Sequence, residues 1–225
     1  MRFNKNFVCA IVLLVLFQFA FVLNANAHAI ADLSKFSRTD VGLIYLKLGF
    51  THILPLGLDH ILFVLSIFFL NNQLKTIIWQ ATAFTVAHSI TLGLAMYGFI
   101  SPPTHIVEPI IALSIMFIAI ENIISEQLKP SRIIIVFVFG LIHGMGFANV
   151  LTELGLPHNQ FLTSLLTFNL GVELGQIAVI ILAWFLIGKW FNKKSWYRKR
   201  IVIPISAIIA IIAIYWTIER TFFAA

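Results

Sequence analysis

The sequence predicts an all-α membrane protein, a bundle of six transmembrane helices that follows a cleaved signal peptide. Hydrophobic residues make up 60% of the 225 residues and charged residues only 11%, whereas a soluble domain is about half apolar. Several runs of about 20 residues carry few charges, which is the length needed to span a bilayer. These runs are continuous and do not alternate in polarity, which argues against a membrane barrel.

The first 27 residues have the features of a secretory signal peptide. Basic residues precede an apolar run from Phe7 to Leu23, and Ala25-Asn26-Ala27 has the small-x-small pattern of a cleavage site. An uncleaved first helix is the alternative interpretation. Cleavage would make His28 the new amino terminus, where its amine and imidazole could join a metal site.

Two regions follow the signal peptide: a periplasmic amphipathic segment over residues 28–51, and a transmembrane domain over 52–225. In the first region we expect Asp40 to cap a helix of Val41 to Phe50, with Lys47 facing water. The six apolar spans of the second region are separated by short connections, several of which contain proline. Their approximate ranges are 54–70, 74–99, 104–124, 131–155, 160–187 and 201–223.

The distribution of basic residues predicts the orientation of the chain. The predicted inner loops hold Lys75, then Lys129 and Arg132, then six basic residues between 189 and 200, whereas the outer loops hold none. This is the positive-inside pattern, and together with the signal peptide it favours an inner-membrane protein whose mature amino terminus lies on the periplasmic side. Topology therefore accounts for the pI of 9.7, and we do not expect nucleic acid as a partner.

Two apolar spans carry an ionisable residue between glycines. His143 follows Gly140 and precedes Gly144, and Glu173 lies in the middle of Gly171-Val172-Glu173-Leu174-Gly175. Small residues at this spacing let membrane helices approach closely. Ionisable residues within a membrane span mark functional sites. We therefore predict a polar core in which His143 and Glu173 face each other.

Other polar side chains from separate spans fall at a similar depth when each residue contributes a rise of about 1.5 Å. They are His52, Asp59, His60 and His88. The single cysteine, Cys9, lies in the predicted signal peptide, so the mature chain has no thiolate ligand. A set of His, carboxylate and amide groups suits a divalent ion such as Ni, Co or Zn better than Cu(I).

Further polar residues could support such a site or line a path to it. Ser89 is adjacent to His88. Asn169, Glu173 and Gln176 stand at positions i, i+4 and i+7 and therefore share one helix face. In the third span, Glu108 lies near the outer end and Glu121 near the inner end, where it could form the end of a polar path.

These motifs resemble the HupE/UreJ family of bacterial membrane proteins, and the resemblance extends over residues 50 to 190. The matching pieces are Leu56–His60, Phe84–Leu92, Glu108-Pro109, Glu121-Asn122, Phe139–Ala148 and Phe168–Gln176. The resemblance implies six spans after a secretory signal and a role in nickel supply to hydrogenase and urease, or in cobalt handling. It implies that the residues that handle metal are Asp59, His60, His88, His143 and Glu173.

The chain is most similar to the second HupE/UreJ subfamily. The nickel-permease branch has a His-Pro pair ahead of its Asp-His motif, whereas here Pro55 follows Leu54 and the nearest histidine is His52. That branch also has a second histidine in the fourth-span motif, where this chain has Gly140 and Leu141. The resemblance therefore implies metal binding more directly than it implies that the metal is nickel.

Three functions fit this pattern. The first is a divalent metal permease, in which His52, Asp59 and His60 receive the ion and Glu121 lies at the exit. The second is an intramembrane zinc hydrolase with Glu173 or Asp59 as the base. The third is an accessory or metal-sensing subunit. The partners to consider are the lipid bilayer, the metal ion, a second copy of the chain, and a metallochaperone or metalloenzyme maturation protein.

Overall fold

The computed structural model describes residues 36–70, 73–148, 151 and 160–223. The predicted signal peptide and His28 lie outside the described residues. Within them the chain is helical and contains no strand. The main helices are α1 (Arg38–Ile53), α2 (Leu58–Leu70), α3 (Leu74–Met96), α4 (Thr104–Ile124), α5 (Arg132–Gly146), α6 (Phe161–Ala183) and α7 (Ile203–Phe222).

Four helical segments are each long and apolar enough to cross a bilayer: α3, α4, α6 with its extension to Phe191, and α7 with the turn that begins at Arg198. Helices α1 and α2 would form a fifth span together, bent by 67°. Helix α5 is apolar but has only 15 residues. The chain is thus a multi-pass helical membrane protein, and the described residues support four or five of the six predicted spans.

Helix α1 is longer than the predicted helix of Val41 to Phe50. Its N-cap is Ser37, whose hydroxyl oxygen accepts a hydrogen bond of 3.2 Å from the Asp40 backbone N–H. The prediction that Asp40 caps this helix is therefore wrong. A serine hydroxyl satisfies a backbone donor at a helix start as well as a carboxylate does, and Ser37 is placed one turn earlier.

The buried face of α1 packs lengthwise and in parallel on α6. A Cβ on Gly49 would collide with the Phe168 carbonyl oxygen, and one on Gly171 would collide with the Leu46 carbonyl oxygen. The two backbones are in contact here, so both positions require glycine. This packing carries the C-terminal end of α1, with His52, into the interior of the bundle.

The bend between α1 and α2 also depends on a glycine. A Cβ on Gly57 would collide with the His52 carbonyl oxygen, because the chain turns back tightly against the end of α1. Helix α2 begins at the next residue, Leu58. The bend therefore brings His60, in the first turn of α2, close to His52.

Helices α3 and α5 pack in parallel through the predicted pair of small residues. A Cβ on Gly144 would collide with the His88 carbonyl oxygen, and one on Gly140 would lie 2.9 Å from the Cβ of Ala87. The Thr91 hydroxyl donates to the Leu141 carbonyl oxygen at 2.7 Å across the same contact. The prediction of a close helix approach at this motif is confirmed.

Helices α1 and α2 run toward the same end of the bundle, and from α2 to α7 the helix directions alternate, so each end has its own composition. The contacts Glu108–Arg220 and Asn122–Ser206, for example, make α4 and α7 antiparallel. One end, which we call the basic end, holds Lys75, Lys129 and the basic residues 189–200. The opposite end holds the start of α1 and the turn between α3 and α4.

A buried arginine closes the basic end. Arg132, which is 1% exposed, lies 3.1 Å from the Glu121 carboxylate and donates to Asn122 Oδ1 and to the Ser66 carbonyl oxygen, each at 3.1 Å. Glu121, predicted as the inner end of a polar path, is therefore held in an ion pair. Removing one partner of a buried pair leaves an uncompensated charge.

We expect Arg132→Met to lower the free energy of unfolding by about 3–5 kcal/mol, because Glu121 and Asn122 lose their partner. The double variant Arg132→Met/Glu121→Gln should recover part of this loss, since no unpaired charge remains. Thermal unfolding of the detergent-solubilised protein would measure both effects. The exposed Lys129→Met is the matched control, and an equal loss in that variant would contradict the explanation.

Candidate metal centre

Three imidazoles meet inside the bundle, and we call them the histidine trio: His52, His60 and His88. They come from α1, α2 and α3, and one nitrogen atom from each lies within 4.8 Å of the others. The ring centroids of His52 and His60 are 4.7 Å apart, and those of His60 and His88 are 5.8 Å apart. Sequence reasoning predicted all three residues as metal ligands, and the structure brings them together.

The Nε2 atoms of the histidine trio are buried and have no hydrogen-bond partner. A buried polar atom without a partner costs about 1–3 kcal/mol, so one such atom in each of three neighbouring rings is unfavourable unless something binds them. Neutral imidazole nitrogen is a common ligand for divalent transition metals. The residues present therefore fit a cation with a preference for nitrogen.

The tautomer of His88 is set by Asn169, as predicted for a supporting residue. The Asn169 Nδ2 group donates to the Leu165 carbonyl oxygen at 2.8 Å, so Oδ1 is the atom that faces His88 Nδ1 at 3.2 Å. An amide oxygen only accepts, so His88 Nδ1 carries the hydrogen and donates it. His88 Nε2 is left with a free lone pair for a metal.

His143 lies beside the histidine trio, with its ring centroid 5.1 Å from that of His60. The Ser114 hydroxyl donates to the Ile111 carbonyl oxygen at 2.7 Å, so Ser114 Oγ accepts a hydrogen bond of 2.9 Å from His143 Nε2–H. His143 Nδ1 is buried without a partner. His143 is thus a fourth imidazole with a free lone pair. It lies next to the histidine trio but is not one of the three residues whose nitrogens lie within 4.8 Å of one another.

Ser114 was missed by sequence reasoning. It is the only hydroxyl residue of α4 between Thr104 and Ser125, and it is 1% exposed. A single hydroxyl residue in the middle of an apolar span is a signal that could have identified it. Its role is visible only once α4 is packed against α5.

The carboxylates predicted near the histidines are engaged elsewhere. Both oxygens of Asp59 accept from Arg220 Nη2, at 3.0 and 3.1 Å, and Glu108 Oε2 lies 3.1 Å from Arg220 Nη1. Glu173 accepts a hydrogen bond of 2.6 Å from Thr82 on α3, about 9 Å along that helix from His88. The structure therefore records no contact between His143 and Glu173, which the sequence led us to expect.

Two further predicted residues contact their own helix or a neighbouring one. The Ser89 hydroxyl donates to the Thr85 carbonyl oxygen at 2.6 Å and does not face the histidine trio. Gln176 lies 3.3 Å from the Thr85 hydroxyl. Arg220 was not predicted, because it is separated from Asp59 by 161 positions and nothing local marks it as a partner.

A cavity of ≈ 530 Å³ connects the Arg220 ion pairs to the histidines. It lies between α1, α2, α4, α5 and α7. The polar residues among those that line it are Thr51, His52, Asp59, His60, Glu108, His143 and Arg220. His52, His60 and His143 thus lie at the wall of a polar cavity near the end opposite the basic end. His88 lies next to His52 and His60, outside the cavity lining.

On the side toward the basic end the histidines rest on a phenylalanine floor, formed by Phe63, Phe84 and Phe139. The Phe63 ring centroid lies 5.1 Å from that of His143 and 4.9 Å from that of Phe84. Each floor residue lies about one helical turn from His60, His88 or His143 in its own helix. The floor separates the cavity from the buried Arg132.

One protein family matches most of the chain. The model of the family described as HupE / UreJ protein matches residues 26–220. This range includes all the described helices except the end of α7, and it includes the histidine trio, His143 and Arg220. No curated protein and no solved structure matches the chain significantly.

We expect Asn169→Leu to weaken Co(II) binding by about 10–100-fold, because His88 loses the acceptor that fixes its tautomer and ring orientation. Titration of the purified protein with Co(II), followed by its visible absorption, would measure the change. Ser89→Ala, adjacent to His88 but bonded to its own helix, is the control and should bind like the wild type. Equal affinity in Asn169→Leu and the wild type would show that Asn169 does not support the site.

Proposed function

Because the chain belongs to the HupE/UreJ family, which is linked to nickel and cobalt transport, we propose that it is a permease for divalent transition-metal ions. The observation that best supports this proposal is a cluster of three imidazoles, each with an unpartnered Nε2 atom, of which His52 and His60 line a cavity. In this account the metal ion is the substrate, held briefly by His52, His60 and His88.

The donor set favours ions of the nickel and cobalt type. Imidazole suits Ni, Co and Zn, whereas thiolate would be needed to favour Cu(I). The three ligands are neutral, so the ion keeps its full charge inside an apolar bundle. The charged residues that line the adjoining cavity are Asp59, Glu108 and Arg220, whose formal charges sum to one negative charge. A site with weak charge compensation favours release over permanent retention.

The distribution of charge supports an inner-membrane location with the basic end in the cytoplasm. The amino terminus, the cavity and the Arg220 ion pairs then face the periplasm. We propose that the ion enters the cavity from that side, passes Asp59 and Glu108, and reaches the histidine trio. Exit to the cytoplasm requires a change in the packing of the bundle, because Phe63, Phe84 and Phe139 lie beneath the trio.

The sequence bears on the source of energy for transport. The chain contains no nucleotide-binding motif such as a P-loop. We propose that an ion gradient, or trapping of the metal by a partner in the cytoplasm, makes transport directional. A metallochaperone or a metalloenzyme maturation protein would serve as such a partner.

A zinc hydrolase is the second candidate, and one observation favours it. Three clustered histidines, two of which line a cavity, could hold Zn with an open position for water and a substrate. However, such an enzyme needs a carboxylate as a base near the metal, and the two carboxylates that line the cavity are both bound by Arg220. The geometry therefore supports transport better than hydrolysis.

Uptake by reconstituted protein tests the proposal. Proteoliposomes that contain a metal-sensitive dye should accumulate Ni(II) or Co(II), and His88→Ala should lower the rate at least about tenfold, because one of three ligands is lost. His105→Ala, an exposed histidine near the start of α4, is the matched control and should transport normally.

Two results would contradict the permease proposal. One is a wild-type protein that moves none of Ni(II), Co(II) or Zn(II). The other is a His88→Ala variant that transports as fast as the wild type. Zinc-dependent cleavage of a peptide or lipid substrate, lost in His88→Ala and unaccompanied by transport, would establish the hydrolase instead.

A further inference from the structure

A second group of polar side chains lies between α3 and α6, on the basic side of His88. We call it the oxygen seam and define it by four residues: Thr82, Thr85, Glu173 and Gln176. Thr82 donates to Glu173 Oε1 at 2.6 Å, and Thr85 Oγ lies 3.3 Å from Gln176 Oε1. The two residues of each helix are three positions apart and are therefore neighbours on one face.

The oxygen seam has buried atoms without partners. Gln176 is 0% exposed, and its amide nitrogen, Nε2, has no hydrogen-bond partner. The Thr85 hydroxyl also donates to the Ala81 carbonyl oxygen at 3.2 Å, so rotation of the Gln176 amide would let Nε2 donate to Thr85 Oγ and would leave Oε1 free. Glu173 Oε2 is also buried and unpartnered. A carboxylate and an amide in an apolar helix contact normally have every polar atom satisfied. The free carboxylate oxygen of Glu173, beside an amide that can turn its oxygen toward it, therefore indicates a ligand site.

The seam is continuous with the histidine trio. Thr85 lies about one turn from His88 along α3, and Asn169, which binds His88, lies one turn from Glu173 along α6. The seam thus extends from the trio toward the basic end. Gln80, 2% exposed and with an unpartnered amide oxygen, lies further along α3 in the same direction.

The alternative path past Glu121 is unfavourable for a cation. Directly beneath the trio lie the rings of Phe63, Phe84 and Phe139. Beyond them Glu121 is paired with Arg132, whose buried positive charge would repel a metal ion. Among the described residues, the oxygen seam is the polar continuation that carries a negative charge without a cationic partner.

We propose that the oxygen seam is a second, weaker station for the transported divalent cation, which receives the ion from the histidine trio. This inference rests on the proposed permease function and identifies the next site on the path. The ligands are the Glu173 carboxylate, the Thr82 and Thr85 hydroxyl oxygens, and the Gln176 amide oxygen after rotation of its amide group. The negative charge of Glu173 attracts the ion.

The chemistry of the two sites makes the second one suited to release. Ni(II) and Co(II) bind imidazole nitrogen more strongly than neutral oxygen donors. An ion that moves from the trio to the seam therefore passes from stronger to weaker ligands, with the Glu173 charge offsetting part of the difference. The ion then leaves the seam more readily than it would leave the trio.

Equilibrium dialysis of the purified protein against Co(II), combined with visible absorption, tests the proposal. The wild type should bind two ions per chain, a tight one with nitrogen ligation and a weaker one with oxygen ligation. Glu173→Gln keeps the side-chain size and should retain the tight ion but lose the weaker one. Its transport rate should fall at least about tenfold, equivalent to ~1.4 kcal/mol. Thr82→Val should weaken the second ion in the same direction.

The control is Glu126→Gln, because Glu126 is a carboxylate whose side chain is 84% exposed, and this variant should bind two ions. The inference is overturned if Glu173→Gln still binds both ions, or if it loses both together. His88→Ala separates this inference from the permease proposal: it should lose the tight ion and keep the weaker one. If His88→Ala retains the tight ion, the assignment of that ion to the histidine trio is refuted. The result for Glu173→Gln then decides by itself whether the oxygen seam binds an ion.

Discussion

The rest of this structure depends on three neighbouring imidazole rings, each with a buried nitrogen that has no hydrogen-bond partner. Each imidazole is positioned by a close backbone contact that only glycine permits. The contact between Gly49 and α6 places His52, the turn at Gly57 places His60, and Gly144 packs against the His88 carbonyl. Because the helices cannot separate without losing these contacts, the unsatisfied nitrogens stay together. A bound cation is the group that would satisfy them.

The charged residues on the two sides of the histidine trio are paired differently. On the cavity side, Arg220 is paired with both Asp59 and Glu108 and offsets one of their two negative charges, so each carboxylate there has a cationic neighbour. On the other side, Glu173 has no basic partner among the described residues, and its nearest recorded contact is the Thr82 hydroxyl. The seam therefore offers an ion on the histidine trio a carboxylate without a cationic neighbour, whereas the carboxylates on the cavity side are both paired with Arg220.

Much of the fold and part of the site could be predicted from the sequence. Span lengths and proline positions gave boundaries close to those of α3, α4 and α7, and the depth of His60 and His88 in their spans predicted that they would meet. The rotation of a helix about its axis is not encoded locally, and for this reason Glu173 was wrongly expected to face His143. The partner of Asp59 was not predictable either, because Arg220 is 161 positions away. Helix α1 belongs to the bundle because Gly49 matches Gly171, a pairing that becomes visible only in three dimensions.

X-ray absorption spectroscopy of the Co(II)-loaded, purified protein tests the central claim most directly, because it identifies the atoms bound to the metal. If His52, His60 and His88 bind the ion, the spectrum will show about three imidazole ligands per tightly bound ion, and this signature will be lost in His60→Ala. A tightly bound ion that is coordinated only by oxygen, or an imidazole signature unchanged in His60→Ala, would contradict the account.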